Sequence, residues 1–248
     1  MQKSQKRIAI AMLSAVSLIT GFSAGPANAE VITMWSGLSS TNVQVSFEAH
    51  MTISGNNLSI VLINNSPVSS LNPNDTLGSF YFDAICGGVR PALSYNTAVG
   101  AVWWADANAP DTLINPAGNL KATAAGDNTW QFRTMNPGLS PFMGYGIGTV
   151  GNNGLSPNNF MGNIVDGRDY SIYKGEITTN NLDMNNLVKE QATFTFTGVS
   201  GCTEADISLV SAFGMGTAPD SIEFSPEPAT LGLLLGVGLF GFRRPRTR

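Results

Sequence analysis

Histidine and cysteine are scarce in this sequence of 248 residues, which limits the chemistry that it can support. His50 is the only histidine, so any site that used a histidine as a general base near neutral pH would have to include it. It lies on the polar side of an alternating pattern, which favours a surface histidine on a strand over a catalytic one. One histidine and two cysteines, Cys86 and Cys202, are too few for a structural zinc site.

Acidic residues offer a second kind of chemistry. Asp166 and Asp169 lie in one short turn, and Glu204 and Asp206 lie close to the second cysteine. Two carboxyl groups that faced each other could act as the acid and base of a secreted hydrolase. Asp166 and Asp169, with Asn163, could instead supply oxygen ligands to calcium. Solvated turn residues are the simpler interpretation, so we predict no enzymatic activity and no cofactor, with calcium as the open alternative.

Two adjacent tryptophans, Trp103 and Trp104, could contact a glycan by stacking. Neighbouring residues on a strand point to opposite faces, so one ring is expected in the core and the other at the surface. Trp130, Tyr145 and Tyr173 could extend such a platform. The alternative is that all five rings fill the core, because aromatic residues favour strands. Carbohydrate binding is therefore a second hypothesis for this chain.

Strict alternation of apolar and polar residues over 43–53 predicts a half-buried antiparallel strand. A turn follows, and a second alternating segment at 58–63 completes a hairpin. Further strands are predicted at 77–85, 99–104, 129–133, 145–150, 170–178, 192–199, 206–213 and 221–224, and one short helix at 181–191. Many short strands separated by Asn, Gly and Pro are typical of a β-sandwich or jelly roll. We therefore predict an all-β fold, with a single antiparallel β-sandwich or jelly-roll domain at 30–225.

The N-terminus has the three-part layout of a secretory signal peptide at 1–29. A basic start is followed by an apolar stretch at 8–22, which is too short for a comfortable membrane span. Ala27 and Ala29 then occupy the two small positions of a signal-peptidase site. We predict an N-terminal helix that is removed by cleavage between Ala29 and Glu30.

The C-terminus, 226–248, has a layout of its own. Pro226-Glu227-Pro228 precedes an uncharged apolar run at 229–242, and Arg243 and Arg244 begin a basic end. A helix of this length is a marginal membrane anchor. Its basic end would stay on the cytoplasmic side, which places the body outside the inner membrane.

This C-terminal segment resembles the PEP-CTERM sorting signal of Gram-negative bacteria, and the strand layout looks like that of exosortase-dependent surface proteins. The resemblance rests on Pro226-Glu227-Pro228-Ala229-Thr230-Leu231, the apolar run that follows, and Arg243-Arg244. It implies recognition and processing by exosortase, a membrane-embedded cysteine protease, and release to the surface or to an exopolysaccharide matrix. It implies no enzyme activity and no catalytic residues.

The body between the two ends is acidic. Seven of the 13 basic residues and one of the 17 acidic residues lie in the ends, which leaves residues 30–225 with a net charge near −10. This charge argues against nucleic acid as a partner. Export would place Cys86 and Cys202 in an oxidising compartment, where we expect them to form a disulfide. Two free thiols or an intermolecular bridge are the alternatives.

The sequence thus predicts a non-enzymatic protein that is exported through the inner membrane, held briefly by its C-terminal helix, and processed by exosortase. Its expected partners are signal peptidase, the secretion machinery, exosortase and the exopolysaccharide. Its expected role is structural or adhesive in a surface matrix or biofilm. A carbohydrate-binding module, with or without calcium, is the alternative, and a secreted hydrolase ranks third.

Overall fold

The computed structural model describes residues 29–122, 129–134, 143–149, 170–178, 182, 185–215 and 221–225. Strands dominate these segments, as the sequence predicts, and two short 3-10 helices, Pro73–Asp75 and Glu204–Asp206, are the only helical turns within them. The strands are β1 Val31–Leu38, β2 Gln44–Ser54, β3 Asn57–Asn64, β4 Leu77–Phe82, β5 Ser94–Trp104, β6 Thr112–Asn119, β7 Gln131–Thr134, β8 Tyr145–Gly148, β9 Ile172–Tyr173, β10 Asn186–Thr197, β11 Ala212–Met215 and β12 Ser221–Phe224. The all-β fold class is confirmed.

The predicted hairpin is present as β2 and β3, which pair antiparallel from Phe47 and Asn64 down to the turn between Ser54 and Asn57. Burial alternates strictly along both strands, so one face packs into the core and the other is partly solvated. Period-two alternation was the strongest strand signal in the sequence, and here it is realised over the whole of β2.

All strands belong to one sheet with β10 at its centre. The main path runs β1-β2-β3-β10-β9-β4-β11-β12, while β5 and β6 extend from β10, and β8 and β7 extend from β4. On one side of β10, residues 191–197 pair with β3 and residues 188–189 pair with β9. On its other side, β10 pairs with β5. Two groups of strands therefore diverge from one central strand.

The prediction of a purely antiparallel sheet is wrong at one place, because β9 pairs with β10 in parallel. A parallel pair needs a crossover connection of about a dozen residues or more. The chain between Tyr173 and Asn186 provides that length. The sheet is therefore mixed.

The helix predicted at 181–191 is also wrong, since β10 begins at Asn186 and runs through that region. Cross-strand pairing with β5 outweighs the weak helical tendency of the segment. Strands β1 and β6 were not predicted. In β6 six consecutive residues are exposed, so no alternation marks it as a strand.

Aromatic residues connect strands that are not neighbours in the sheet. Phe47 on β2 stacks on Phe213 on β11, with ring centroids 6.3 Å apart. Phe82 on β4 contacts Phe196 on β10 at 6.2 Å. These four rings are fully buried and belong to the main hydrophobic cluster. The two groups of strands thus share one core.

The predicted disulfide is confirmed. Cys86 and Cys202 are bonded, their Cα atoms are 5.2 Å apart, and 116 residues of sequence separate them. Within the described segments no helix is long and apolar enough to cross a membrane. The predicted N-terminal and C-terminal helices lie outside those segments.

Candidate functional site

Three charged side chains meet beside the N-terminal half of β10, and we call Asp111, Glu176 and Lys189 the lysine–carboxylate cluster. Lys189 lies on β10, where it pairs with Tyr173 of β9. Glu176 follows β9 by three residues, and Asp111 immediately precedes β6. Since β5 lies between β10 and β6, three different parts of the chain supply the cluster.

A β-bulge aims Lys189 into the cluster. The register between β10 and β5 shifts between Val188 and Ala192. Glu190, inside this bulge, has a φ of 65°. Left-handed backbone is unfavourable for a residue with a side chain and concentrates at functional positions. Bulges can redirect side chains, and this one lies next to Lys189.

Asp111 is the buried member of the cluster, with 0% of its side chain exposed. Its Oδ2 atom accepts hydrogen bonds from the Tyr173 hydroxyl at 2.8 Å and from the Ile177 backbone N–H at 3.3 Å. The Lys189 ammonium lies 4.0 Å from the same oxygen. The Oδ1 atom is buried and accepts no hydrogen bond from the residues that the structure describes. A buried acceptor without a partner is costly, so this oxygen needs a specific explanation.

Glu176 connects the other two members. Its Oε1 atom forms an ion pair with the Lys189 ammonium, and its Oε2 atom accepts a hydrogen bond from the backbone N–H of Asp111 at 3.3 Å. Its side chain is 56% exposed, so it also contacts solvent. Glu176 can therefore exchange protons with Lys189 on one side and with water on the other.

Apolar and aromatic groups surround the cluster. The Lys189 ammonium lies 4.5 Å from the centre of the Trp103 ring and 5.7 Å from that of Tyr173. Trp103 packs against a small hydrophobic cluster separate from the main core, formed by Ala105, Tyr173, Ile177, Leu182 and Leu187. Such surroundings exclude water and strengthen the electrostatic interactions within.

The pKa values of the two carboxyl groups are shifted in opposite directions. Burial raises the pKa of Asp111, and the nearby Glu176 adds to that increase. The hydrogen bond from Lys189 holds the pKa of Glu176 below its ordinary value. Pairs of acids whose pKa values are pushed apart can serve as a proton donor and a proton acceptor. The cluster therefore places two carboxyl groups, one with a raised pKa and one with a lowered pKa, beside the Lys189 ammonium group.

Of the aromatic residues predicted to contact a glycan, Trp103 and Tyr173 border this cluster. Trp104 is half-buried beside it. Trp130, Tyr145 and Tyr173 are at most 1% exposed and belong to the interior. Any stacking platform would therefore have to rely on the two adjacent tryptophans.

His50 lies at the partly exposed face of β2, the position that the alternation predicts. Its Nδ1 atom is 3.1 Å from Glu30 Oε1, and its Nε2 atom is 3.1 Å from Glu48 Oε2. Both ring nitrogens contact carboxylates, an arrangement that secures the start of β1 against β2. The contacts are those of a surface ion-pair network.

Glu204 and Asp206 have structural partners. Glu204 Oε1 accepts a hydrogen bond from the backbone of Ile53 at 3.2 Å, and Asp206 accepts from the backbone and hydroxyl of Thr203. The calcium candidates Asp166 and Asp169, with Asn163, lie outside the described residues. Among the residues that the structure describes, no three His, Cys, Asp or Glu side chains are grouped to hold a metal ion.

The predicted processing signals are mostly outside the described segments, namely Ala27, Pro226, Glu227, Pro228, Arg243 and Arg244. Ala29 and Glu30 are described and exposed. Their exposure makes this peptide bond accessible on the folded body.

The lysine–carboxylate cluster was not anticipated from the sequence. Asp111 and Glu176 are 65 residues apart in the sequence, Glu176 and Lys189 are 13 apart, and no motif links the three. One signal was available, since Lys189 is one of the few basic residues in the body of the chain. Comparisons with protein-family models, with curated proteins and with solved structures found no match to this chain.

Proposed function

We propose that this chain is an exported, exosortase-processed protein of the cell surface or extracellular matrix, with a structural or adhesive role in an exopolysaccharide or biofilm. In this proposal the signal peptide ends at Ala29, the C-terminal helix anchors the chain briefly, and processing near Pro226 releases it. The body would then act without catalysing a reaction and without a cofactor.

The disulfide between Cys86 and Cys202 is the observation that carries the proposal. Disulfides form and persist in oxidising compartments and are rare in the cytosol of most cells. This one joins the chain after β4 to the chain after β10. It agrees with the export that the N-terminal pattern predicts on independent grounds.

The finer architecture that we propose is a β-sandwich. The β1-β2-β3 group and the β4-β11-β12 group diverge from β10 and β9. The Phe47–Phe213 contact joins them through the core, and the Ser211 hydroxyl donates to Thr33 Oγ1 at 2.8 Å. Side chains that interdigitate between two strand groups are typical of packed sheets.

Fractionation of the native host tests this function. We expect the mature body in the surface or extracellular fraction, and a chain with an intact tail in the membrane fraction when exosortase is deleted. Glu227→Gln combined with Pro226→Ala and Pro228→Ala should reproduce the deletion, whereas the nearby Glu223→Gln should be processed normally. A body found only in the cytoplasm would refute the proposal.

A second candidate function, glycan binding, is favoured by a hydroxyl face on the sheet. Two rows of small uncharged polar residues cross the adjacent strands β2, β3, β10 and β5. The first row is Thr52, Ser59, Thr195 and Thr97, and the second is Ser54, Asn57, Thr197 and Ser94. Adjacent strands are about 4.8 Å apart, so each row presents regularly spaced polar groups on a broad surface. An uncharged surface of this kind suits a neutral polysaccharide.

A glycan array that includes the native exopolysaccharide, probed with and without a chelator, tests this second candidate. Thr195→Lys on the hydroxyl face should reduce binding, and Ser200→Lys outside both rows should not. Trp103→Ala and Trp104→Ala form a separate arm that tests the tryptophans. If the wild-type chain binds no glycan, the second candidate is wrong.

A further inference from the structure

We propose that the lysine–carboxylate cluster forms an intramolecular amide bond between Lys189 Nζ and Asp111 Cγ, with Glu176 as the group that transfers protons. The chain would thereby carry a covalent cross-link in addition to its disulfide. This inference goes beyond the proposed function, because it concerns a self-modification of the folded chain.

The reacting groups are already close. The Lys189 nitrogen is 4.0 Å from an oxygen of the Asp111 carboxyl group. Well-oriented intramolecular reactions proceed from contacts of about 3–3.5 Å between reacting atoms. The flexible lysine stem can bring Nζ toward Cγ of Asp111 by torsional changes. The bulge at Glu190 holds the lysine on the side of β10 where the aspartate lies.

The two oxygens of the Asp111 carboxyl group differ in their hydrogen bonds. Oδ2 accepts hydrogen bonds from the Tyr173 hydroxyl and the Ile177 N–H, which would stabilise negative charge on that oxygen during attack, as in an oxyanion hole. Oδ1 is buried and accepts no hydrogen bond from the described part of the chain. It is the oxygen that would leave. Amide formation would remove this buried oxygen and keep both hydrogen bonds at Oδ2.

The step is a condensation that needs no oxidant, reductant or other co-reactant. The Glu176 carboxylate takes a proton from the Lys189 ammonium, and the free amine attacks Cγ of the neutral Asp111 carboxyl group. The N–C bond forms while the C–Oδ1 bond breaks. Oδ1 leaves as one molecule of water, which contains its own hydrogen and a second proton from the Lys189 nitrogen. Glu176 transfers this second proton from the nitrogen to Oδ1. Glu176 ends protonated and returns that proton to solvent through its exposed side.

The surroundings favour this reaction over a persistent salt bridge. Burial raises the pKa of Asp111 and so favours its neutral form, which is the electrophile, and a buried ion pair gains little over neutral groups in such a place. The rings of Trp103 and Tyr173 cover part of the Lys189 ammonium and so limit its hydration. The bond would tie β10 to the residue just before β6, a strand whose partner among the described strands is β5.

Mass spectrometry of the purified full-length chain, reduced and denatured, tests the proposal. The wild-type chain should be lighter than its sequence by one water molecule, and digestion should release a branched peptide that contains both Asp111 and Lys189. Glu176→Gln should abolish the branched peptide, and so should Lys189→Arg. Lys174→Arg is the matched control, because Lys174 forms an exposed ion pair with Glu190 at 3.1 Å, and it should leave the cross-link intact.

Thermal unfolding of each variant, followed by circular dichroism, verifies that the fold is retained. Glu176 is largely exposed, so its replacement should preserve the fold. A folded wild-type chain without the branched peptide would overturn the proposal, and so would water loss that persists in Lys189→Arg. Cross-linking in folded Glu176→Gln would refute the assigned role of Glu176. Processing by exosortase does not affect these outcomes, so the two proposals fail independently.

Discussion

Lys189 Nζ lies 4.0 Å from Asp111 Oδ2. Lys189 is on β10 and Asp111 immediately precedes β6, although β5 lies between these two strands. The parallel β9–β10 pair brings Tyr173 beside Lys189. Glu176, three residues after β9, then forms an ion pair with Lys189. The parallel β9–β10 pair and the register shift between Val188 and Ala192 both border the cluster. Local departures from regular geometry of this kind are expected at functional positions.

Replacing both cysteines by serine should destabilise the chain markedly. A cross-link across more than 100 residues restricts the unfolded chain by about 4–5 kcal/mol in the loop-entropy estimate. We expect Cys86→Ser combined with Cys202→Ser to lower the urea midpoint to the extent that this loss of unfolding free energy requires. Reductant should lower the urea midpoint of the wild-type chain to the same extent. Equal midpoints for the double variant and the oxidised wild type would show that the disulfide contributes nothing to stability.

Phe213 should be one of the most sensitive core positions. Its buried ring contacts Phe47 at 6.3 Å and Phe80 at 5.1 Å, and so joins two groups of strands. Phe213→Ala should cost about 3–5 kcal/mol in denaturant unfolding, because it leaves a cavity. Leu209→Ala, at a residue that is 47% exposed, is the control and should change the unfolding free energy little. A small loss for Phe213→Ala would mean that the two groups do not depend on this contact.

Asp75 holds two segments of the chain together through its buried carboxylate. Oδ1 accepts from the hydroxyls of Ser39 and Thr41, each at 2.7 Å. Oδ2 accepts from the backbone N–H groups of Leu71 and Asn72 at 3.0 and 2.8 Å. Hydrogen bonds to charged groups contribute about 1.5–3 kcal/mol each.

Asp75→Ala should therefore lower the unfolding free energy by about 3 kcal/mol or more, since it leaves several donors without their acceptor. Asp106→Ala removes a single exposed hydrogen bond, to the Asn108 N–H, and is the comparison. Calorimetric melting of both variants gives the answer. Similar losses in the two variants would contradict this interpretation of Asp75.

Glu223 should make stability depend on pH. Burial raises the pKa of this carboxyl group above its ordinary value of 4.5. Between the two values the folded chain binds more protons than the unfolded chain, so the contribution of Glu223 to stability is lost as the pH rises through the raised pKa. Glu223→Gln removes the cost of burying the charge.

The variant should accordingly be more stable than the wild type at neutral pH and equally stable at a pH well below the ordinary value. Denaturant unfolding at the two pH values measures this difference. Asp106→Asn serves as a control of the same charge change. An equal effect of Glu223→Gln at both pH values would show that its charge is not penalised in the folded chain.

The parts of the fold that the sequence predicted are those with a local signal. Alternation marked β2, and the spacing of turn residues marked the hairpin and most other strands. β6 carries no alternation, since both of its faces are exposed along most of its length. The segment at 186–191 looked helical because its strand character comes from pairing with β5 and β9, which are distant in sequence.

The cluster itself was beyond sequence reasoning for a similar reason. Asp111, Glu176 and Lys189 are brought together by strand order and by a bulge, neither of which leaves a motif. The disulfide could be predicted from the sequence, because two cysteines in an exported chain have few ways to pair. Features that follow from composition and cell compartment, such as the disulfide, can thus be predicted from the sequence. Sites assembled from several strands can be recognised only once the fold is known.

Intact-mass analysis of the protein isolated from its native host tests the central proposal, export followed by processing at both ends, most directly. We predict a mass that corresponds to a chain starting at Glu30 and lacking the region after about Pro226. Additional mass on such a chain would point to a glycan or other covalent attachment at the surface. A chain that retains its N-terminal segment and its arginine-rich tail would contradict the account.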